Sequence, residues 1–298
     1  MASFAEALDS GRFLVTAELN PPKGTDLSEL LQKADLLAGW VDALNLTDSP
    51  ASIMTMAPIA AAAQLKARDQ EPILQVTGRD RNRIAVQGDL LAAAALGVTT
   101  LVCMSGDPPS TGDHPDAKPV FDLDPMGLLR AAAALTAGRD LAGKPLRGAP
   151  NFCLGAVVSP SADDLERELA RMEEKIEAGA RFFQTQPVYD TNAFARFLER
   201  TAAYGVVVMA GFIVLKSGDM ARRLNATLPG VDVPAWLIAE LDAAPDKAAK
   251  SAEIAGRIIG ELKGVCRGVH IMAIGWEEHI PAILSAAGIA PGPARATA

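Results

Sequence analysis

The sequence is short of the residues that build metal, redox and nucleic-acid sites. Its 298 residues include only three Cys and three His. The cysteines, Cys103, Cys153 and Cys266, stand far apart in apolar runs, so we expect core thiols in a reducing cytoplasm. The histidines show no metal-ligand spacing, and we expect no metal site. The net charge of −8 and the lack of a dense Lys/Arg block argue against a nucleic-acid surface.

Long apolar runs and several catalytic signatures are missing too. The longest apolar stretches are interrupted well short of a membrane span, and residues 1–6 lack the basic start and apolar core of an export signal. We therefore expect a cytoplasmic location without membrane contact. The sequence also has no Gly-rich nucleotide loop, no Gly-x-Ser-x-Gly elbow and no zinc-type His/Glu pattern, so nucleophilic and metal-dependent hydrolysis lose support.

What the sequence does have is a repeat of short apolar runs, each ending in polar residues and followed by a helix-like stretch. Aromatic residues make up 5% and hydrophobic residues 49%, so Ala, Leu and Val must fill the core, as in packed α/β layers. The pattern predicts an α/β fold, a (β/α)8 TIM barrel forming a single domain over residues 1–290, with a flexible C-terminal tail at 291–298. The predicted strands are 12–18, 41–46, 72–77, 99–104, 152–158, 181–185, 206–213 and 268–274.

Helical spacing and capping residues predict the connecting helices. Two places break the strand–helix alternation. Residues 105–123 form a long Pro/Gly/Asp loop after the fourth strand, and loops of this length are usually functional or disordered. Residues 217–262 hold about three extra helices between strands seven and eight. The other predicted helices are 26–39, 57–67, 83–96, 190–203 and one from the capping cluster at 161–164 to Gly179.

The ends of the predicted strands carry the candidate chemistry, because barrel enzymes build their sites there. Glu18 ends strand one; a desolvated carboxyl at this place suits a general acid, and a solvated charge is the alternative. Gln184 and Gln186 share one face of strand six and suit contacts to a heterocycle edge, with interior packing as the alternative. Asp107 follows strand four and suits the same edge, although a plain turn explains it equally well.

Further polar residues complete this predicted mouth. Lys175, on the helix after strand five, has two interpretations: it reaches a cofactor phosphate, or it is solvated, which is the commoner fate of a helix lysine. Carboxylates, amides and hydroxyls together fit proton transfer around a bound heterocycle, with a cofactor performing the harder step. The remaining strand-end residues are Asn45, Thr47, Asp48, Gln75 and Thr77.

Six stretches, taken in order, resemble the methylenetetrahydrofolate reductase family, in its short bacterial-type form with the catalytic barrel only. The resemblance covers nearly the whole chain. It implies a barrel that reduces 5,10-methylenetetrahydrofolate to 5-methyltetrahydrofolate in one-carbon and methionine metabolism, with FAD as cofactor and NADH or NADPH as reductant. A homo-oligomer is compatible with it. The matching stretches are residues 16–22, 45–48, 74–77, 105–109, 177–186 and 211–213.

The resemblance also implies roles for single residues. Glu18 resembles the proton donor to N10 of the folate, and Asp107 the carboxylate that meets the pterin ring and tunes the flavin. Gln186 resembles the amide that contacts folate and nicotinamide in turn, with Gln184 beside it. Trp276 falls in the substrate-binding region. The implied flavin-side positions are Thr47, Asp48, Gln75, Thr77, Ser105, Gly106, Asp107 and Lys175.

Three departures from the family pattern bear on these roles. Known bacterial members carry His where Gln75 stands and Arg where Ser105 stands, so we expect weaker flavin binding. Trp276 stands where an Arg that helps to hold the folate tail is expected, and Arg222 and Arg223 are candidate substitutes. Two other hypotheses stay open: a flavin-free folate-binding or methyl-transfer barrel, and a non-catalytic subunit of an electron-transfer complex.

Overall fold

Eight parallel strands close into a barrel in chain order, each bonded to the next and β8 to β1. The structure, a computed structural model, describes residues 3–228 and 230–292. Every predicted strand is confirmed to within two residues at each end, and with them the TIM barrel. The strands are β1 (Leu14–Leu19), β2 (Ala43–Leu46), β3 (Pro72–Thr77), β4 (Thr100–Met104), β5 (Cys153–Val158), β6 (Phe182–Pro187), β7 (Val207–Ile213) and β8 (Gly268–Met272).

Helices cover the outside of the barrel, and the three extra helices predicted between β7 and β8 are confirmed. Within the described ranges, no helix has both the length and the apolar character that crossing a membrane requires. Most of the predicted tail, residues 293–298, lies outside the described part of the chain. The helices are α1 (Phe4–Asp9), α2 (Ser28–Leu37), α3 (Pro58–Lys66), α4 (Arg83–Ala95), α5 (Pro125–Thr136), α6 (Leu165–Glu177), α7 (Thr191–Thr201), α8 (Gly218–Thr227), α9 (Ala235–Ala243), α10 (Lys247–Leu262) and α11 (Ile280–Ala286).

Three of these helices, α1, α5 and α11, have no counterpart among the predicted ranges. Helices α1 and α11 span six and seven residues, too few to show a helical period in the sequence. Helix α5 did have a start signal, because the Asp124 side chain accepts a hydrogen bond from the Gly127 N–H and Pro125 occupies the first turn. That signal lies in the sequence directly after the long loop.

The barrel interior near the amino ends of the strands is apolar and is closed by α1. The Phe4 ring packs edge-on against Phe182, with 5.1 Å between ring centroids. Gly155 makes room for this ring, since a Cβ added there would lie 2.3 Å from Phe182 Cζ. Because α1 closes this end, a ligand has its opening at the opposite end, at the carboxyl ends of the strands.

Candidate active site

The predicted polar residues lie around one mouth, at the carboxyl ends of the strands. Glu18 and Gln186 are the penultimate residues of β1 and β6, and Thr77 ends β3. Thr47 directly follows β2, and Asp107 lies three residues beyond β4. Because all eight strands run parallel in a closed barrel, these five residues share one face of the molecule.

Of the carboxyl groups at the mouth, Glu18 has the surroundings that best suit a general acid. Its side chain is 21% exposed, and its Oε2 accepts a hydrogen bond from Gln75 Nε2 at 3.1 Å. His270 Nε2 lies 3.8 Å from the same oxygen. We call Glu18, Gln75, His270 and the layer beneath them the Glu18 half of the mouth. A ligand above the mouth can reach this carboxyl group, while two N–H-bearing side chains approach it from within the barrel.

A buried polar layer lies directly beneath Glu18. Asn45 Nδ2 donates to Gln184 Oε1 at 2.8 Å, and Gln184 Nε2 donates back to Asn45 Oδ1 at 3.1 Å. Gln184 Nε2 also donates to Thr16 Oγ1 at 3.3 Å, and that hydroxyl lies 3.0 Å from His270 Nδ1. All four residues are at most 4% exposed. Gln184 therefore satisfies its amide inside the barrel, whereas Gln186, two residues on, is exposed at the mouth.

The loops after β2, β3 and β4 are joined by one buried guanidinium group. Arg79 is 2% exposed and pairs with Asp80 through Nε and Nη2. Its Nη1 donates to Ser49 O at 3.1 Å and to Ser52 Oγ at 3.0 Å, and its Nη2 to Asp48 O at 3.4 Å. Arg79 therefore organises the mouth loops as well as pairing with Asp80. We call these loops and their partners the Arg79 half.

Other groups of the Arg79 half bond to one another as well. The Asp48 carboxylate accepts from the backbone N–H and the hydroxyl of Thr77, both at 2.9 Å, and pairs with Arg81. The Thr47 hydroxyl donates to Asn20 Oδ1 at 2.8 Å. These hydroxyl and carboxylate groups, predicted as flavin-side positions, thus have partners within the chain.

Asp107 is exposed, but it is anchored. Its Oδ2 accepts from the Ala51 N–H at 3.0 Å, and its backbone oxygen accepts from Ser52 Oγ at 2.6 Å. Ser49, Ala51 and Ser52 all have φ between 51° and 55°, a region that costs non-glycine residues free energy unless the surroundings impose it. The contacts from Arg79 and Asp107 impose it here.

The packing of the loop after β4 explains why residue 106 is a glycine. Its φ is +83°, and an added Cβ would lie 3.0 Å from Thr77 Cβ and 3.3 Å from Arg79 Cβ. Glycine is therefore needed for the β4 loop to pack on the end of β3, whether or not a cofactor approaches. A bulky substitution at Gly106 would disturb the Arg79 half directly.

Lys175 is not the solvated helix lysine that the sequence favours. It is 7% exposed, and its ammonium donates to Val157 O at 2.8 Å. Burial lowers the pKa of this lysine below its ordinary value, because the interior disfavours the charged form. The predicted contact of Lys175 with a cofactor phosphate stays a prediction.

The last predicted residue, Trp276, lies beyond β8 with a cation over its ring. Lys216 Nζ is 5.1 Å from the ring centroid. Arg222, a predicted substitute for the family's folate-tail Arg, pairs instead with Asp219 and Asp242. Sequence reasoning missed Lys216, which follows the long apolar run of β7, and it also missed His270 and Thr16. The alternation of side chains along β8 and β1 was the signal for the last two.

Comparisons with known proteins place this geometry in a family. The family model described as methylenetetrahydrofolate reductase matches residues 3–288. The chain belongs to the methylenetetrahydrofolate reductase family. It is 24% identical over 240 residues to methylenetetrahydrofolate reductase 2 of Schizosaccharomyces pombe, covering 72% of this chain and 35% of that protein. It is 24% identical to the 5,10-methylenetetrahydrofolate reductase of Pectobacterium carotovorum subsp. carotovorum, with 78% and 74% covered.

The chain thus spans about a third of the length of its fission-yeast relative. A solved structure from Clostridium thermocellum, described as binding two copies of 5-methyl-5,6,7,8-tetrahydrofolic acid, shares the fold. Its TM-score is 0.64 at 18% identity, and the match covers 96% of this chain and 99% of that one.

The family resemblance implies FAD, and the predicted phosphate contacts test the fit. Gln75 is committed to Glu18, Lys175 donates to Val157 O, and Ser105 carries no charge. The guanidinium groups of Arg79 and Arg81 are paired with Asp80 and with Asp48 and Asp89. As arranged, these residues do not fit the diphosphate of FAD. The exposed groups of Asp107 and Gln186 do fit the edge of a flat heterocycle.

Proposed function

We propose that this protein reduces 5,10-methylenetetrahydrofolate to 5-methyltetrahydrofolate at the mouth of the barrel. The observation that carries the proposal is the Glu18 carboxyl group, partly exposed above a buried polar layer, in a chain of this family. The Clostridium thermocellum protein of the same fold, described as binding a methylated reduced folate, supports a folate as the ligand.

In this proposal Glu18 opens the five-membered ring of the folate. It donates a proton to N10, and the bond between the bridging carbon and N10 breaks with its electron pair passing to N10. A cationic iminium remains at N5, and a hydride added to its carbon completes the methyl group. Gln75 Nε2, which lies 3.1 Å from Glu18 Oε2, donates its N–H to that oxygen and stabilises the carboxylate left on Glu18. A general acid in this place contributes about 10²–10⁴-fold to the rate.

Other residues of the mouth bind and orient the substrate. The exposed Asp107 carboxylate, anchored by the Ala51 N–H, brings negative charge that favours the cationic iminium. Gln186 can donate to and accept from the edge of the pterin ring. Lys216 over Trp276 provides a cation on the side where the family pattern expects the folate tail.

Two candidates for the hydride donor follow from the site. FAD, the cofactor that the family resemblance implies, would supply the hydride, with NADH or NADPH as the reductant. In the Arg79 half, the guanidinium groups of Arg79 and Arg81 are already paired with carboxylates. This pairing favours a second candidate, in which the same folate reaction proceeds without flavin and reduced nicotinamide gives its hydride directly at the mouth. The roles of Glu18 and Asp107 are the same in both.

The absorbance spectrum of the freshly purified protein separates the two candidates. Flavin bands that bleach with NADH or NADPH and recover with methylenetetrahydrofolate support the flavin-dependent reaction. A colourless protein that does not bind added FAD, yet oxidises reduced nicotinamide only when the folate is present, supports the direct one. Absence of folate turnover with either nicotinamide, with and without FAD, contradicts the proposed reduction.

A further inference from the structure

The buried layer beneath Glu18 contains a histidine that the reaction outlined above does not use. His270 belongs to β8, is 4% exposed and reaches Thr16 through one ring nitrogen and Glu18 through the other. Neutral imidazole carries one proton, on either nitrogen, and the hydrogen bond at one nitrogen decides what the other presents. The partners of Thr16 therefore decide which group faces Glu18.

Counting donors and acceptors through the buried layer shows which partner donates in the hydrogen bond between Thr16 and His270. The Asn45 and Gln184 amides exchange two hydrogen bonds, which leaves the second Gln184 N–H for Thr16 Oγ1. A hydroxyl that accepts from Gln184 keeps its own proton to donate, and His270 Nδ1 lies 3.0 Å away. Nδ1 is then the acceptor, and the ring proton sits on Nε2.

We propose that His270 is a positioning residue for Glu18, held by Thr16 as the neutral Nε2–H tautomer so that this N–H faces the carboxylate formed when Glu18 gives up its proton. The proposal rests on the proposed function. The proton passes from Glu18 to folate N10, and His270 keeps its own proton throughout. Its Nε2 is 3.8 Å from Oε2, the oxygen that already accepts from Gln75, and such contacts commonly shorten once a substrate is bound.

The tautomer itself is the first test, and it needs no turnover. ¹⁵N NMR of histidine-labelled protein reports the two ring nitrogens, and a His270→Gln variant assigns the signal against those of His114 and His279. We expect neutral Nε2–H for His270 in the wild type. A protonated ring, or a neutral ring with its proton on Nδ1, would overturn the proposal.

Variants of Thr16 then connect the tautomer with the reaction. Thr16→Val removes the hydroxyl proton and should both shift the tautomer and lower kcat about tenfold or more, with KM little changed, as for a lost charge-assisted hydrogen bond. Thr16→Ser should recover most of that loss. Thr201→Val is the matched control, because Thr201 is also a buried hydroxyl, bonded to Phe197 O far from the mouth.

The outcomes separate this proposal from the proposed function. An unchanged kcat in a folded Thr16→Val protein, with the wild type active and Glu18→Gln inactive, would overturn the role of His270 and leave the folate reduction standing. A wild type that reduces no folate would remove the reaction, while the NMR result would still report the tautomer.

Discussion

On the Glu18 half of the mouth, one carboxyl oxygen of Glu18 faces two N–H-bearing side chains, and the Glu18 side chain stays partly exposed. On the Arg79 half, the guanidinium, carboxylate and hydroxyl groups bond to each other. Both halves use strand-end polar residues of the same kinds. The difference lies in which groups a ligand can still reach: the Glu18 and Asp107 carboxyl groups are accessible, whereas the Arg79 guanidinium and the Asp48 carboxylate are engaged within the chain. Residue type at a strand end is therefore by itself a poor guide to its role.

The two halves also divide stability from reaction. The Arg79 half fixes three loops with buried hydrogen bonds, and a buried acceptor that loses its donor costs about 1–3 kcal/mol. The Glu18 half adds little to loop structure, and in the proposed function its carboxyl group supplies the proton to the folate. Variants should therefore separate into those that unfold the protein and those that stop its reaction.

The largest expected effect is that of Glu18→Gln. The amide keeps the shape and can still accept from Gln75, but it has no acidic proton, so folate reduction should fall by about 10²–10⁴-fold at unchanged stability. Any reduction of a bound flavin by nicotinamide should survive. Steady-state turnover and urea unfolding measure both. Glu29→Gln, at an exposed position in the first turn of α2, is the matched control. Near wild-type turnover in Glu18→Gln would mean that another acid exists.

Arg79→Ala, in contrast to Glu18→Gln, should mainly lower the stability of the protein. Ser49 O and Asp48 O both lose a donor, so the free energy of unfolding should fall by about 3 kcal/mol. Arg83→Ala removes an exposed pair with Asp122 and should cost below about 1 kcal/mol. Urea unfolding compares the two. Equal small losses would show that the mouth loops do not depend on Arg79, and the division into two halves would fail.

Much of this arrangement could be predicted from the sequence, because strands buried on both faces read as apolar runs and their ends share one mouth. That reasoning found Glu18, Asp107 and Gln186 at the same end. It could not find which groups are already paired. The guanidinium of Arg79 reaches residues about 30 positions away, and sequence spacing does not show that.

Two other differences between sequence and structure have separate causes. Lys175 looked like an ordinary helix lysine because its burial depends on where α6 packs against β5. A lone histidine in an apolar strand belongs to no motif, so the sequence does not single out His270. Its proposed role follows from its contacts with Thr16 and Glu18. Both depend on tertiary contacts between residues distant in sequence.

Ser105→Arg tests whether the Arg79 half can be given a free cation. Ser105 is exposed at the mouth, and an arginine there would restore a charge-assisted phosphate contact, worth about 1.5–3 kcal/mol. FAD affinity should rise by about one to two decades. Fluorescence quenching on titration with FAD measures it, with Ser110→Arg in the same loop as control. Equal affinity in the wild type and both variants would mean that phosphate does not approach Ser105.

The smallest expected effect is that of Lys175→Met. Burial lowers the pKa of Lys175 in the folded protein, so between that pKa and the ordinary value of 10.5 the unfolded chain binds more protons. The stability of the wild type should therefore rise with pH through this window, and that of Lys175→Met should not.

Near neutral pH the Met variant should be more stable by about 1 kcal/mol or less, since losing the hydrogen bond to Val157 O offsets part of the gain. Its advantage should shrink as the pH rises. Urea unfolding at several pH values measures this, with the exposed Lys144→Met as control. An advantage that stays constant with pH would show that the Lys175 ammonium is not disfavoured by burial, and a loss of FAD affinity in the same variant would support its predicted phosphate contact.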